Sequence, residues 1–509
     1  NRAFSLFLGL FTGLALQANY APVITQGAGP LTLTIDQNSS RASWTTWDRR
    51  FGAFENDVFN DAVSTPDGGY LLIGKSNSPI HGDKTQPIRG SYDYWLVKVD
   101  PNGNKTWDKR YGGESNDEAH GVVTAPDGGY LILGTTNSSA DGDMTQTSRG
   151  QSDYWAIKLD ADGNKTWDKR YGGSLDETAA SLVAASDGGY LMFGNSNSQA
   201  GGDKSDAPLG QQDYWAVKID GNGNKVWDKT YGGTSGDYAY SALATDDGGF
   251  LLLGYSSSGA GGNKTDLGAG DKDYWAVRIN AAGNVIWDKA YGGTGADEPR
   301  SALATPDGGF LLVGFSNSSP SGNKSSAPIG GSDVWVVKIN ADGNVIWDKT
   351  YGGTGFDEGY GAALAPDGGY LITGWSGSPP DGNKTQSHLG GNDVWTIRID
   401  AQGNKVWDKR FGGSATDLGK VALPTNDGGF FLAGYSGSSA DGDKTQPSWG
   451  STDFWTIKIN PDGNKTQALS ATDADGNALS WSVVTPASNG TASVSGSGPS
   501  PSTFSYQPN

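Results

Sequence analysis

Along most of the chain apolar and polar positions alternate in short runs broken by turn-forming residues. In the stretch 227–286, taken as a sample, four β signals appear. Residues 241–245 are a short run of small and apolar side chains, Asp246-Asp247-Gly248-Gly249 supplies a turn, and residues 250–255 form a second run. A long Ser/Gly/Asn loop over 256–273 leads to a third run, 274–279, and residues 280–284 turn the chain back into a fourth, 285–289. The apolar members of the last two runs alternate, as strands covered on one or both faces require. No segment sustains an apolar period of 3.6 residues, so each such stretch predicts a four-stranded antiparallel sheet.

The same stretch recurs. Trp47, Trp107, Trp167, Trp227, Trp287, Trp347 and Trp407 each precede an aspartate at a spacing of 60 residues without insertion or deletion, which makes residues 47–466 seven copies of one unit. Trp95, Trp155, Trp215, Trp275, Trp335, Trp395 and Trp455 form a second series with the same period. One such sheet cannot bury both of its faces, whereas seven arranged radially each cover their neighbours; the period predicts an all-β, seven-bladed β-propeller. The array begins at the outer-strand sequence Trp47-Asp48-Arg49-Arg50-Phe51, and the last unit ends at Asn464-Lys465-Thr466 with no matching Trp-Asp. The N-terminal strand is therefore expected to complete the last blade and close the ring.

Composition narrows the chemistry. Among 509 residues there is no cysteine, so disulfides, thiol nucleophiles and zinc-thiolate sites are excluded. Three histidines leave little for histidine-based metal or triad chemistry, and a formal charge of −19 argues against a nucleic-acid surface. At the N-terminus Arg2 precedes an apolar run over 3–16, with small Ala18 and Ala21 after it. This reads as an export signal over 1–20, too short for a membrane span, with a buried strand as the alternative. The missing initial Met suggests a fragment of a longer polypeptide.

With its Asp-Gly-Gly-Tyr, Asp-Tyr-Trp and Gly-Asn-Lys-Val-Trp-Asp-Lys-Tyr-Gly-Gly repeats, the chain resembles bacterial secreted and cell-surface β-propeller proteins over about four fifths of its length. That resemblance implies the fold and a secreted or cell-surface location rather than an activity. The segments 21–46 and 467–509, the latter with Ala471-Thr472-Asp473-Ala474-Asp475-Gly476-Asn477, are similar to successive parts of one cadherin-like or immunoglobulin-like sandwich, into which the propeller is inserted. The sandwich stops short after Phe504-Ser505-Tyr506, and two unrelated linkers are the alternative.

A residue present in every blade serves a task that every blade shares, so the Trp, Tyr-Gly-Gly and Asp-Gly-Gly series read as wedge-filling rings, turn glycines and turn-capping carboxylates. Recognition is expected where the blades differ. At the entrance to the innermost strand the equivalent residues are Asn60, His120, Ala180, Tyr240, Arg300, Tyr360 and Lys420. Two residues earlier stand Val58, Glu118, Thr178, Tyr238, Glu298, Glu358 and Leu418, while flanking positions hardly change. These side chains should ring the mouth of the central channel, where convergent polar groups and aromatic faces make a ligand site; surface drift is the bland alternative. Glu298 and Glu358 are the weak candidates for a catalytic acid/base pair, with Arg300 able to neutralise them instead.

Calcium is the one candidate cofactor. The turn Asp160, Asp162, Asn164 followed by Asp168 has the oxygen spacing of a calcium loop, as does the Asp473-x-Asp475 motif that the cadherin-like resemblance implies; a solvated hairpin turn explains both equally. His81 and His388, in long loops, read as surface residues. The expected function is a non-catalytic extracellular or cell-surface propeller that presents a binding face to a glycan or another protein, with no nucleic acid and no integral membrane span. A carbohydrate-active enzyme and a structural surface-layer or filament subunit assembled by strand complementation are the alternatives.

Overall fold

Seven sheets of alternating β sequence form where the sixty-residue period places them. The structure, a computed structural model, describes residues 23–26, 46–464, 470–473, 490–495 and 503–508. Blade one consists of Asp57–Ser64, Tyr70–Ser76, Asp93–Val99 and Lys105–Tyr111, antiparallel and hydrogen-bonded in that order from the innermost strand outward. Five further blades repeat it, with innermost strands Asp117–Thr124, Glu177–Ala184, Asp237–Ala244, Asp297–Ala304 and Asp357–Leu364. In the seventh sheet Trp47–Phe51 lies beside Asp453–Ile459, followed by Phe430–Ser436 and Asp417–Pro424. No helix occurs among the described residues, so none is long and apolar enough to cross a membrane.

The second and third strands of each blade are buried along almost their whole length, because both of their faces meet neighbouring blades. The rings at the head of the third strands do the filling. Tyr154, Tyr214 and Tyr274 pack against Trp215, Trp275 and Trp335 of the next blade, with ring centroids 4.8–4.9 Å apart. Their hydroxyls donate across the same boundaries to the backbone carbonyls of those tryptophans, at 3.1, 3.0 and 3.1 Å. Each buried tryptophan donates its indole N–H to an aspartate of its own outer strand, as Trp215 does to Asp228 at 3.1 Å. The half-exposed series behaves differently: Trp227 and Trp287 reach into the following blade and donate to the carbonyls of Ala281 and Ala341, both at 3.1 Å.

The turn carboxylates cap as expected. Asp67 accepts the Gly69 N–H at 3.0 Å in the Asp-Gly-Gly turn, where Gly68 has φ +80°. At the seventh sheet Asp48 accepts the Thr445 N–H at 2.9 Å and the Trp455 indole at 3.3 Å, the contacts that an outer-strand aspartate makes in every other blade. Chain packing separates two units. The larger comprises residues 48–424 and 430–457. The other includes a parallel pair, Val23–Gln26 with Ser470–Asp473, and an antiparallel pair, Gly490–Ser495 with Thr503–Pro508. The export-signal reading of 1–20 and most of the sandwich reading fall outside the described residues.

Candidate functional site

The innermost strands are longer than the sequence pattern suggests and carry a kink that explains why. In blade four the strand runs Asp237–Ala244, not 241–245, because the pairing with its neighbour slips by one residue between Ala239 and Ser241. The extra residue breaks the alternation that marks a strand. The same one-residue bulge occurs in all seven blades, and the residues left unpaired are Asn60, His120, Ala180, Tyr240, Arg300, Tyr360 and Lys420. A bulge re-aims a side chain out of the pleat. Here all seven point into one cavity of about 640 Å³. An invariant glycine makes room: a Cβ on Gly74 would stand 2.0 Å from the carbonyl oxygen of Val58, and Gly254 and Gly374 meet Tyr238 and Glu358 in the same way.

Of the second predicted set, Glu118, Thr178 and Tyr238 line the cavity, while Val58, Glu298, Glu358 and Leu418 do not. Glu298 and Glu358 instead grip Arg300 from behind. Its guanidinium stands 3.2 Å from Glu298 and 3.5 Å from Glu358, and Lys272 approaches Glu298 at 2.7 Å. The same guanidinium lies over the rings of Tyr240, Phe315 and Tyr360, at 4.7, 4.9 and 5.3 Å. Burial pushes the Glu358 carboxyl upward, against the pull of Arg300. The two carboxylates thus neutralise one cation.

Across the channel a polar chain connects three blades. Lys420 donates to Asn60 Oδ1 at 2.8 Å, Asn60 Nδ2 donates to Glu118 at 3.0 Å, and Lys75 pairs with Glu118 at 2.8 Å. Burial opposes ionisation of Glu118, yet His120, Lys75 and Asn60 outweigh it and hold the carboxyl below its ordinary value. Burial pushes the Lys420 ammonium down to about 8, with Glu118 opposing and Lys75 and Arg300 adding to the fall. His120 is likewise held below its ordinary 6.5 by burial.

Two further layers carry variation that the sequence reading passed over. The position after the bulge is Asp61, Gly121, Ser181, Ser241, Ser301, Gly361 and Val421, so the flanks are not constant. Asp61 reaches into the next blade and accepts the Val122 N–H at 3.0 Å as well as the Ala62 N–H at 2.8 Å; burial outweighs those bonds and pushes its carboxyl up to about 7. The end of the second strand reads Lys75, Thr135, Asn195, Tyr255, Phe315, Trp375 and Tyr435. These side chains back the ring: Tyr255 stacks on Tyr238 at 4.8 Å, and the Lys420 ammonium lies 5.3 Å over Tyr435. Unequal residues between the constant Gly and the Ser or Thr of that strand were the signal.

The calcium-spaced turn is a hairpin cap. Asp160 Oδ1 accepts the N–H groups of Asp162 and Asn164 at 3.0 and 2.8 Å, and its Oδ2 accepts the Asn164 side-chain amide at 3.1 Å. Asp168 is buried away from that turn, where it accepts Thr145 N–H and the Trp155 indole and pairs with Lys165 at 2.8 Å. Among the described residues no group of three or more His, Asp or Glu side chains is placed to hold a metal. The side chains of Asp473 and Asp475 lie outside the description. His81 is not an isolated surface residue: it stacks on Phe54 at 3.5 Å and meets Trp449 edge-on at 4.8 Å. His388 Nδ1 is 3.2 Å from the Ser378 carbonyl.

No protein-family model matches the chain. Regulatory protein FlaEY of Caulobacter vibrioides is 24% identical over 388 residues, which cover 69% of this chain and 40% of that protein. The chain therefore spans about two fifths of the length of this curated relative. Among solved structures, the Pan2 WD40 domain of Neurospora crassa is similar with a TM-score of 0.44 and 9% identity, covering 79% of this chain and 90% of that one. Kuenenia stuttgartiensis hydrazine synthase is similar with a TM-score of 0.41 and 12% identity, covering 74% and 93%.

Proposed function

We propose that this chain is a non-catalytic extracellular or cell-surface β-propeller whose channel mouth binds a small polar ligand, the exposed unit of a glycan. One observation carries the reading: seven bulges direct side chains of six different kinds into a single cavity, while the strands and turns that hold them repeat blade after blade. A cavity of about 640 Å³ with aromatic faces and convergent polar groups suits a ligand of sugar size. The grip of Glu298 and Glu358 on Arg300 favours binding over acid/base chemistry, since a general acid needs a carboxyl free to exchange its proton with the substrate. The printed name of the Caulobacter relative, a regulatory protein, agrees with a non-catalytic role.

The location rests on the apolar N-terminal run and on the resemblance of the repeats to secreted proteins. Two architectural readings belong with it. The place of Trp47–Phe51 beside Asp453–Ile459 supports closure of the ring by the N-terminal strand, and the pairing of Val23–Gln26 with Ser470–Asp473 supports a module built from both flanking segments. A glycan-array screen of the whole chain against the Tyr240→Ala/Tyr360→Ala variant tests the site. Wild type should retain a set of glycans that the variant loses; identical profiles would remove the channel mouth as the binding surface.

A further inference from the structure

The charged groups around the channel mouth are paired with one conspicuous exception. Glu118 has Lys75, Glu298 has Lys272 and Arg300, and Glu358 has Arg300, all within 4.0 Å. Asp61 is spent on two backbone N–H groups. The Lys420 ammonium has three N–H donors, a single hydrogen bond to the neutral Asn60 amide and a ring face at 5.3 Å, and among the described residues no carboxylate lies within ion-pair distance of it. It nevertheless lines the cavity, half-buried, where a cation without a contact counter-ion is costly. His120, two blades round the ring, lines the same cavity and adds an imidazole N–H donor. Tyr360 in the adjacent blade and Tyr240 three blades away line the same cavity, with the Arg300 guanidinium against both rings.

An ammonium without a contact counter-ion, an imidazole N–H donor and aromatic side chains in one cavity complement a ligand that carries one negative group on a small ring. We propose that Lys420 and His120 bind the carboxylate of an acidic sugar, a hexuronate, whose ring lies in the cavity that Tyr240 and Tyr360 also line. This rests on the channel-mouth reading and specifies its ligand. The formal charge of −19 does not oppose it at contact distance, since charges beyond about 8 Å are largely screened at physiological salt. A charge-assisted hydrogen bond in a partly enclosed site is the strong kind, so the carboxylate should be worth at least about tenfold in affinity over its uncharged amide.

Calorimetric titration of the full chain with D-glucuronate, D-glucuronamide and D-glucose tests it, on wild type, Lys420→Met and Lys420→Arg, with near-UV circular dichroism to establish that each variant is folded. Wild type and Lys420→Arg should prefer glucuronate to glucuronamide at least about tenfold. Lys420→Met should bind the two alike. Equal binding of acid and amide by wild type, or a preference that survives in Lys420→Met, would overturn the carboxylate assignment and leave the channel-mouth site standing. Failure of wild type to bind glucuronate would overturn the hexuronate assignment, while the channel-mouth site stands or falls by the glycan array.

Discussion

Replacing Arg300 with methionine tests whether the mouth is organised around that one guanidinium. The Arg300 side chain is 13% exposed, and the two carboxylates it grips are 13% and 17% exposed. Lys272 continues to neutralise Glu298 in the variant, so the charge left alone is Glu358. Removing one partner of a buried pair costs about 3–5 kcal/mol, and the three ring contacts add roughly 0.5–1 kcal/mol each, part of which a methionine thioether restores. Channel water softens the penalty, so we expect a loss of about 3 kcal/mol at pH 7.5. Adding Glu358→Gln removes the orphaned charge and should recover about 2 kcal/mol, a coupling well above the error of additivity.

The pH dependence has a definite sign. Burial already raises the folded-state pKa of Glu358 above its ordinary 4.5, and loss of Arg300 raises it further. A carboxyl with a raised folded pKa is at its most stabilising below the unfolded value, and that stability is lost as pH rises through the folded one. Arg300→Met should therefore lie much closer to wild type at pH 4 than at pH 7.5. Urea unfolding followed by tryptophan fluorescence reads both numbers. An equal deficit at the two pH values, together with no recovery in the double variant, would refute the idea that Glu358 is held by Arg300.

Other variants probe the layers around the site. Asp61→Asn keeps the acceptor for the Val122 N–H and abolishes ionisation; because burial raises the Asp61 carboxyl from 3.8 to about 7, wild type should lose stability relative to the variant as pH rises from 4 to 8 in urea melts, and a constant difference would contradict this. Gly112→Ala and Gly128→Ala separate space from backbone conformation: a Cβ at Gly112 would stand 2.1 Å from buried Asp93 Oδ1, whereas Gly128 has φ +82° and nothing within 4 Å. The first should cost about 3 kcal/mol or more and the second about 1 kcal/mol in unfolding free energy, and the reverse order would show that the left-handed turn, not the close approach to Asp93, is the tighter constraint.

The channel ring was legible at the positions where periodicity and variation intersect. All seven residues of the 60, 120, 180 series line the cavity, because a strict period makes any departure visible against six copies. The backing layer, from Lys75 to Tyr435, varies just as plainly and was passed over, since a strand-end position between Gly and Ser or Thr reads locally as core. The pairing of Glu298 and Glu358 with Arg300 was legible only as a possibility: Glu298 is two residues away on the same strand, but Glu358, 58 residues on, meets Arg300 only across the boundary to the next blade.

Local chemistry by itself determined the strands, the turns and the number of blades. Alternation, Asp-Gly-Gly turns and a strict period of sixty act over distances of a few residues or repeat identically, and each copy confirms the others. What only the tertiary structure decided is where the unequal side chains point. A one-residue bulge costs the strand its alternation and so hides in the sequence, yet it turns Asn60, Tyr240 and Lys420 out of the pleat toward a common axis. Whether a cation there finds a carboxylate of the next blade depends on distances that no single repeat contains: Arg300 meets Glu358, and Lys420 meets none.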